Sequence, residues 1–576
     1  MISTELEYKI EDTKDNLKIL RINKDNKWVY IGSKYNMNSE VDKFLKNIDE
    51  SEIDRKHTVI IIFGFGTGEY IKAVREKYKE NEVIVFEPNS NLKEYIKKFK
   101  DSNRDPKLNI YCDDNITVRE MVGQKINQIN FMYVKIFWFA NYYKIYSDEI
   151  NNFLSELKCI FYDIKLDLNT YMSLSEKGFL ILMDNLKYMA QGIPADLYEN
   201  KYKDKPCIIV SAGPSLEKNI HYLKEINDDM IIISGGRTLR SLIDKGIDPH
   251  LLAVIDPNEV SYELCKGYIE NLEKPLLFFE ESSEKVVANH KGKKLFFTYN
   301  DEIRKIAEHN VKPLITGGSI AHIMTSYAVM LGCNPIIFIG QDLAYTGEKS
   351  HAKIADNRDN TNWFEVLKSD DDIYVEDIHG DKIRTSLTLY KYKTALEDII
   401  EANDDVTFIN ATEGGAKIKG TVEMTLAEAM KKYKKESFDI FEDIDYKVDI
   451  KSNVLKSLVN TKKTTNEVVK LYKKALSLIE KLEKYKNIKN NNYITQILNE
   501  IDDIDKKAKV KFNDMELIRS LTFPVAYKVL SKKTDTLDKV NNDRQIYEEN
   551  KVFYSELIKV LKYAEKHIDE TMKKLN

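Results

Sequence analysis

Glycine and proline are distributed very unevenly along this chain of 576 residues. All 22 glycines lie at or before Gly420, and of the 11 prolines only Pro524 comes later. Since these two residues interrupt helices, a region almost free of them can form long ones. Apolar residues recur there every three or four positions, as in VVKLYKKALSLIEKLEKY. The sequence therefore predicts an all-α C-terminal domain over residues 431–576, with a break at Pro524 and the charged residues on a solvated face.

The first 165 residues alternate strand-like and helix-like segments. The runs LKILRIN and KWVYIGSKYN predict two strands, and residues 57–78 have the pattern of a buried strand, a glycine turn and a helix. NEVIVFEPNS predicts the next strand and QINFMYVKIFWF another. We therefore predict a Rossmann-like N-terminal domain over residues 1–165, followed by connecting helices over residues 166–200.

A glycine-rich loop, Gly64 to Gly68, follows the first buried strand of this domain, and Glu87 ends the next strand. The pattern loosely matches the fingerprint of dinucleotide or S-adenosylmethionine sites. Because no catalytic set accompanies the loop, we interpret the domain as a scaffold.

Residues 201–430 contain five or six short apolar runs that alternate with helical segments. This alternation predicts a doubly wound, mostly parallel α/β domain. In such a sheet the ligand binds outside the carboxyl ends of the strands, so polar residues directly after each run are the candidates for chemistry.

The first candidate turn follows the run CIIV and comprises Ser211, Ala212, Gly213, Pro214 and Ser215. Small residues allow a phosphate or a ribose to approach the backbone, and Ser215 could cap the following helix. A tight turn without a ligand is the alternative.

A second candidate turn, formed by Thr316, Gly317, Gly318 and Ser319, precedes the helical segment IAHIMTSYAVML. Two glycines and two hydroxyls at a helix start can form a nest for phosphate oxygens, although a simple capped turn would have the same sequence. The turn lacks the lysine of a P-loop, so hydrolysis of a nucleoside triphosphate by a Walker-type site is not supported.

The run PIIFI ends in Gly340, and Gln341 and Asp342 follow it, with His351 a few residues later. An imidazole titrates near neutral pH, so His351 could act as a general base, with Gln341 and Asp342 beside it. A solvated loop histidine is the alternative interpretation. His322 lies inside a predicted helix, where a packing or capping role is expected.

Two further strand ends carry charged residues. Asp256 follows LLAVI and could accept ribose hydroxyls or hold a divalent ion, whereas Arg237, after Gly236, could pair with a phosphate. Either residue could equally belong to a turn without a ligand.

Composition excludes several classes of protein. The net charge of −5 does not indicate tight nucleic-acid binding, and no apolar run is long enough to span a membrane. The acidic N-terminus differs from a signal peptide. The five cysteines are widely separated in the sequence and form no CxxC pair, so neither a disulfide framework nor a cysteine zinc site is indicated. A cytoplasmic location is the expectation.

In this order and spacing, the segments CIIVSAGPSL, IISGGRTLRSLIDKGIDPHLLAVIDPN, LITGGSIAH and IGQDLAYTGEKSHA resemble the motility accessory factor (Maf) family of flagellin glycosyltransferases. The family combines a Rossmann-like N-terminal domain, a catalytic domain and a helical C-terminal region. Its catalytic domain, a GT-A-like variant, is in turn similar to bacterial sialyltransferases. The resemblance thus covers most of the chain.

The resemblance implies transfer of a pseudaminic or legionaminic acid from a CMP-sugar donor to serine or threonine of flagellin. It implies a nucleotide contact for Gly213, Pro214 and Ser215. A further contact is implied for Asp256, where the family pattern has asparagine. The turn from Thr316 to Ser319 would receive the phosphate, and His351 would be the catalytic histidine.

Two other functions remain open. Archaeal-type hydroxymethyl-dihydropterin pyrophosphokinases share the GPSL-type domain, and in such an enzyme Asp256 and Asp342 could hold magnesium for transfer from ATP. A chaperone that binds flagellin without catalysis would also suit the helical tail. The sequence leaves open whether a divalent metal such as magnesium is required, and it does not give the oligomeric state.

Overall fold

The computed structural model describes residues 4–55, 57–112, 117–355, 368, 372–485, 491–531 and 539–576. The chain forms two compact units. The first unit consists of Met1–Ser175, Lys473–Ile494 and Thr522–Ile558, and the second consists of Glu176–Tyr472, Thr495–Leu521 and Lys559–Asn576. Residues predicted to form one C-terminal helical domain are therefore divided between the two units.

The first unit contains a small antiparallel sheet and a four-stranded parallel sheet of order β6-β5-β4-β7. Its strands are β1 (Tyr8–Asp12), β2 (Lys18–Lys24), β3 (Lys27–Ile31), β4 (Val59–Phe63), β5 (Glu82–Phe86), β6 (Leu108–Tyr111) and β7 (Lys135–Trp138). Its short helices are α1 (Met37–Asn47), α2 (Glu69–Lys77), α3 (Lys93–Ser102), α4 (Val118–Gly123) and α5 (Tyr142–Ile145). The predicted strands are confirmed, and every residue of β4 is buried, as expected for a central parallel strand.

A single helix, α6 (Ser147–Met189), occupies 43 residues where the sequence predicted a domain boundary at residue 165 and several connecting helices. The segment contains no proline, and its one glycine, Gly178, is tolerated inside the helix. Without a strong interruption, local sequence gives no reason for the helix to end earlier.

The second unit is built on a nine-stranded sheet of order β18-β17-β14-β9-β10-β11-β12-β13-β8, in which every pairing is parallel. Its strands and the separate antiparallel hairpin β15–β16 are β8 (Ile193–Pro194), β9 (Cys207–Val210), β10 (Ile231–Gly235), β11 (Leu251–Ala253), β12 (Leu276–Phe279), β13 (Lys294–Phe297), β14 (Ile336–Ile339), β15 (Ile373–Glu376), β16 (Lys382–Thr385), β17 (Phe408–Asn410) and β18 (Val422–Glu423). The predicted doubly wound parallel α/β class is thereby confirmed.

Helices cover both faces of this sheet. They are α7 (Leu216–Asn219), α8 (Gly236–Ile243), α9 (Glu259–Cys265), α10 (Glu284–Asn289), α11 (Asp301–Ile306), α12 (Ile320–Met330), α13 (Leu387–Glu401) and α14 (Leu426–Tyr433). Side chains alternate between the faces: Ile209 packs in a cluster with Met324 of α12, whereas Ile208 packs in another with Leu242 of α8. The chain reaches β13 on one side of β9 and then returns to β14 on the other side, which creates a topological switch point between β9 and β14.

The remaining helices are α15 (Ile450–Tyr485), α16 (Asn491–Phe512), α17 (Arg519–Leu530) and α18 (Lys539–Leu575). The prediction of a break at Pro524 is wrong, because this proline lies inside α17. The interruption comes before Arg519, where Leu517 and Ile518 are fully buried, so packing fixes the start of the helix. None of the helices in the described ranges combines the length and the apolar character needed to cross a membrane.

Candidate active site

A cavity of about 560 Å³ opens at the carboxyl ends of β9, β10, β11 and β14. This is the crevice at the topological switch point, where ligands bind in doubly wound sheets, and its size suits a nucleotide-sized ligand. Most of the predicted site residues line it, namely Ser211, Gly213, Gly236, Arg237, Asp256, Gly318, Ser319, Gln341, Asp342 and His351. The predicted residues outside its lining are Pro214, Ser215, Thr316 and Gly317.

The ends of β9 and β14 meet in a close backbone crossing that depends on glycine. The N–H of Gly213 donates to the carbonyl of Gly340 over 2.8 Å. A Cβ at Gly213 would lie 2.1 Å from Oδ2 of Asp342, and one at Gly340 would lie 2.2 Å from the carbonyl oxygen of Ser211. Gly340 also has φ +63°, which disfavours other residues. The two strand ends can therefore form the cavity floor only with glycine at both positions.

Ser211 also lines the cavity, and its Oγ is buried without a hydrogen-bond partner among the described residues. A buried hydroxyl normally has a partner, so this atom marks a place where a ligand can supply one.

Asp342 holds the turn after β9 in place. Its carboxylate accepts the Ser215 hydroxyl over 2.6 Å and the Ser215 N–H over 3.2 Å. Burial raises the pKa of the Asp342 carboxyl, and the hydrogen bonds from Ser215 oppose that rise. Ser215 therefore does not cap α7 with its side chain, as the sequence suggested, because its hydroxyl is used by Asp342. Since Asp342 also lines the cavity, it fixes the turn at the edge of the site.

α12 begins at the cavity, and the N–H groups at its start are capped by residues of its own first turn. Ser319 caps the N–H of Ala321, and Nδ1 of His322 accepts the N–H of Ser319 over 3.2 Å. Nε2 of His322 lies 2.8 Å from the carbonyl of Tyr392, so Nε2 carries the proton. Burial lowers the pKa of His322, in agreement with this neutral tautomer. The capping role predicted for His322 is confirmed.

Within the turn before α12, only Gly318 and Ser319 line the cavity. A Cβ at Gly317 would lie 2.5 Å from Cβ of Ala395, so this glycine is required by packing against α13. Thr316 is exposed, and its Oγ1 accepts the N–H of Gly318 over 3.4 Å. The turn thus presents its second half to the cavity.

The start of α8 opens on the same cavity and has no side-chain cap. The first N–H groups of a helix lack intrahelical partners and carry the positive end of its dipole, which favours an anion. Arg237, half-buried, lies in this first turn and lines the cavity. Gly235, which precedes α8, would place a Cβ 3.3 Å from the side chain of Ile320 at the start of α12. Two helix starts and an arginine residue therefore border the same cavity, an arrangement suited to a phosphate.

Asp256 is exposed at the end of β11, and its carboxylate accepts the N–H of Asn258 over 2.7 Å. In the described part of the chain, no group of three or more His, Cys, Asp or Glu side chains is placed to hold a metal ion. The Asp342 carboxylate accepts two hydrogen bonds from Ser215, so the magnesium pair suggested for Asp256 and Asp342 would share one of its carboxylates with this turn.

His351 lies where the loop after β14 returns to the end of β9. Next to it, the N–H of Ala352 donates to the carbonyl of Ala212 over 2.9 Å, which anchors the loop. Nδ1 of His351 lies 3.1 Å from Oγ of Ser350, and both residues line the cavity. The imidazole is thus at the rim of the crevice that the starts of α8 and α12 and Arg237 also line.

Several lining residues were missed by sequence reasoning. Leu389 and Tyr392 come from α13, and Ser261 and Leu264 from α9. They lie inside helices rather than directly after strands, so the rule that directs attention to strand ends does not find them. The signal available, tyrosine and leucine on an amphipathic helix, is the same as that of an ordinary core contact.

The glycine-rich loop of the first unit is filled by the protein itself. Glu87, 1% exposed, accepts the N–H of Phe65 over 2.7 Å, and the Tyr142 hydroxyl accepts the N–H of Gly66 over 2.7 Å. Tyr142 in turn donates to Glu87 over 2.5 Å. A Cβ at Gly64 would lie 2.5 Å from the ring of Tyr142. The carboxylate and the phenol thus take up two of the N–H groups that such a loop would offer to a phosphate, which supports the interpretation of this domain as a scaffold.

Replacing Tyr142 by phenylalanine is expected to destabilise the first unit by about 1–3 kcal/mol, because it leaves the N–H of Gly66 and the Glu87 carboxylate short of a partner. Urea unfolding monitored in the first unit measures the change. Tyr143→Phe is the matched control, since Tyr143 is 46% exposed. Equal stability of the two variants would contradict the internal role of Tyr142.

Comparisons with known proteins agree with this fold. A family model described as 6-hydroxymethylpterin diphosphokinase MptE-like matches residues 181–348, less than half of the chain. No curated protein matches the chain. The solved structure of a MAf glycosyltransferase from Magnetospirillum magneticum AMB-1 is similar, with 14% sequence identity, a TM-score of 0.54, and coverage of 98% of this chain and 93% of that one. At this identity the likeness demonstrates a shared fold, extending over nearly the whole chain.

Proposed function

We propose that this protein is a glycosyltransferase that moves a nonulosonic acid, of the pseudaminic or legionaminic type, from a CMP-sugar to serine or threonine of flagellin in the cytoplasm. The observation that carries the proposal is the meeting of two helix starts and Arg237 in one crevice at the switch point, with an imidazole at its rim. The fold shared with the MAf glycosyltransferase structure and the motif order of the central domain support it.

In this proposal the donor phosphate lies between Arg237 and the first N–H groups of α8, near Gly318 and Ser319. The nucleoside lies along the glycine crossing, where the Ser211 hydroxyl, which has no hydrogen-bond partner among the described residues, offers a hydrogen bond. Asp256, exposed at the end of β11, is the candidate for the ribose hydroxyls. Gln341 is 5% exposed and lines the same floor, where its amide can bind the sugar.

Transfer then needs one proton acceptor and one stabilised leaving group. His351 takes the proton of the acceptor hydroxyl while the oxygen of that hydroxyl bonds to the anomeric carbon. The bond from that carbon to the phosphate oxygen breaks, and its electron pair leaves with CMP. Arg237 and the α8 N–H groups stabilise the charge gained by the phosphate. Attack opposite the leaving group inverts the anomeric centre.

We expect CMP to bind the wild-type protein without magnesium and Arg237→Ala to weaken that binding about 10- to 100-fold, the loss of a hydrogen bond between charged groups. Isothermal titration calorimetry with CMP measures both affinities. The matched control is Arg240→Ala, one turn further along α8, where Arg240 pairs with Asp244 instead of lining the cavity. Equal loss in both variants would contradict a phosphate site at Arg237.

A pyrophosphokinase is the second candidate, and the match of the MptE-like model to residues 181–348 favours it. It predicts that ATP with magnesium, rather than CMP, stabilises the protein. The engagement of Asp342 by Ser215 argues against the magnesium site that this function needs. A chaperone without catalysis predicts flagellin binding with no response to either nucleotide.

A further inference from the structure

We propose that Arg384 is a positioning residue, which holds the loop of residues 343–351 so that His351 stays at the rim of the cavity. We name this segment the His351 loop. The inference deepens the proposed function and rests on it for the role of His351. Arg384 itself does not line the cavity, so it acts through the loop.

The His351 loop needs an external restraint because its backbone is locally unfavourable. Leu343 has φ 52° and Glu348 has φ 61°, both in the left-handed region that side chains disfavour, and Gly347 between them has φ 62°. A loop with two such non-glycine residues would relax to other conformations unless surrounding groups fixed it.

Arg384, on β16, contacts the loop with both its backbone and its side chain. Its carbonyl accepts the N–H of Tyr345 over 2.9 Å, and its guanidinium carbon lies 4.6 Å from the centre of the Tyr345 ring. The guanidinium also pairs with Glu348, and with Asp372 over 2.8 Å. With 3% of its side chain exposed, Arg384 is held rigidly between these partners.

The neighbouring residues extend the same restraint. The hydroxyl of Thr385 donates to the carbonyl of Leu343 over 2.8 Å, at the first left-handed position. Ser386 then caps α13, which carries Leu389 and Tyr392 to the cavity wall. One short segment therefore fixes the His351 loop and leads directly into the helix on the cavity wall.

The contacts require arginine rather than a generic cation. A planar guanidinium can stack on Tyr345 while its two ends bind Glu348 and Asp372, whereas a lysine ammonium offers a single point of charge. Arg384→Lys is therefore expected to loosen the loop although the positive charge is kept.

The milder test removes the negative charge of only one partner. In Glu348→Gln, Arg384 keeps its bond to Asp372, so the buried guanidinium remains paired and the protein is expected to fold. Exchange of the Tyr345 amide hydrogen should become faster and turnover should fall, each about two- to fivefold, as for an ion pair with one exposed partner. Affinity for CMP should stay within about twofold, because the phosphate site is untouched.

The matched control is Glu376→Gln on the adjacent strand β15, where Glu376 pairs with Lys417 over 2.7 Å. Hydrogen exchange by mass spectrometry, CMP calorimetry and initial rates with CMP-pseudaminic acid are measured on the full-length chain. Faster exchange and slower turnover in Glu348→Gln and Arg384→Lys, but not in Glu376→Gln, would support the proposal. Exchange of the His351 loop equal to wild type in both variants would overturn it.

The exchange measurement does not depend on catalysis. Should the wild-type protein transfer no sugar, the proposed function fails, whereas faster exchange in Glu348→Gln would still support the restraint by Arg384. A loss of turnover with unchanged exchange would overturn the positioning role, since Glu348 would then affect the reaction without ordering the loop.

Discussion

A His351→Ala variant is expected to lose transfer by roughly 10²- to 10⁴-fold, the range that a general base contributes, while it binds CMP as wild type does. The imidazole lines the crevice beside Ser350, and in the proposed function Arg237 and the N–H groups of α8, rather than His351, bind the phosphate. If His351 is the proposed base, its removal takes away the proton acceptor for the hydroxyl and leaves the proposed phosphate contacts in place. The rate is measured as CMP release with saturating CMP-sugar and flagellin.

His379→Ala is the matched control, because His379 is exposed at the turn of the β15–β16 hairpin. His351→Gln adds a second variant that keeps a polar side chain of similar length without a titratable base. Transfer at the wild-type rate by either His351 variant would remove His351 from the base role. Loss of CMP binding along with the rate would instead indicate that His351 contacts the nucleotide.

The features that the sequence predicted are those encoded by neighbouring residues. The run CIIV is buried on both faces, so its continuous apolar pattern identifies a central parallel strand. The rule that ligands bind at carboxyl ends of such strands then directs attention to the residues after β9, β10, β11 and β14, and the cavity lies there. The fold class and most of the cavity floor follow from this local information.

The features that the sequence did not predict depend on contacts between distant segments. The bond of Ser215 to Asp342 joins residues far apart in the chain, and without it Ser215 has the pattern of a helix cap. Tyr142 fills the glycine loop from well beyond the strand–turn–helix pattern that suggested a ligand site. Tyr392 reaches the cavity because α13 packs against Gly317 and Gly318. Each of these outcomes requires the tertiary arrangement itself.

A buried glutamate in the second unit provides the other large expected effect. Glu280 follows β12, and Oε1 accepts the Thr298 hydroxyl over 3.0 Å, while Oε2 is buried without a hydrogen-bond partner among the described residues. Burial raises the pKa of Glu280 from its ordinary value of 4.5 to about 7. Between pH 4.5 and about 7, the folded protein therefore keeps this side chain mostly protonated, whereas in the unfolded chain it is mostly ionised.

The sign of the pH dependence follows from this shift. Well below pH 4.5 the carboxyl is protonated in both the folded and the unfolded state, so it does not lower the free energy of unfolding. As the pH rises from 4.5 to about 7, the unfolded state loses its proton first, so the free energy of unfolding falls. Above about pH 7 the loss is complete and amounts to about 3 kcal/mol, at 1.36 kcal/mol for each unit of pKa.

Glu280→Gln is expected to remove this loss, because the amide has no proton to release. The variant should be more stable than wild type by about 3 kcal/mol at pH 8, and the difference should shrink strongly by pH 5. Urea unfolding of the second unit at the two pH values measures it, with Glu273→Gln as the matched control, since Glu273 is exposed before the other end of β12. If wild type and Glu280→Gln differed equally at both pH values, Glu280 would not be the group that titrates, and the amide would act through packing alone.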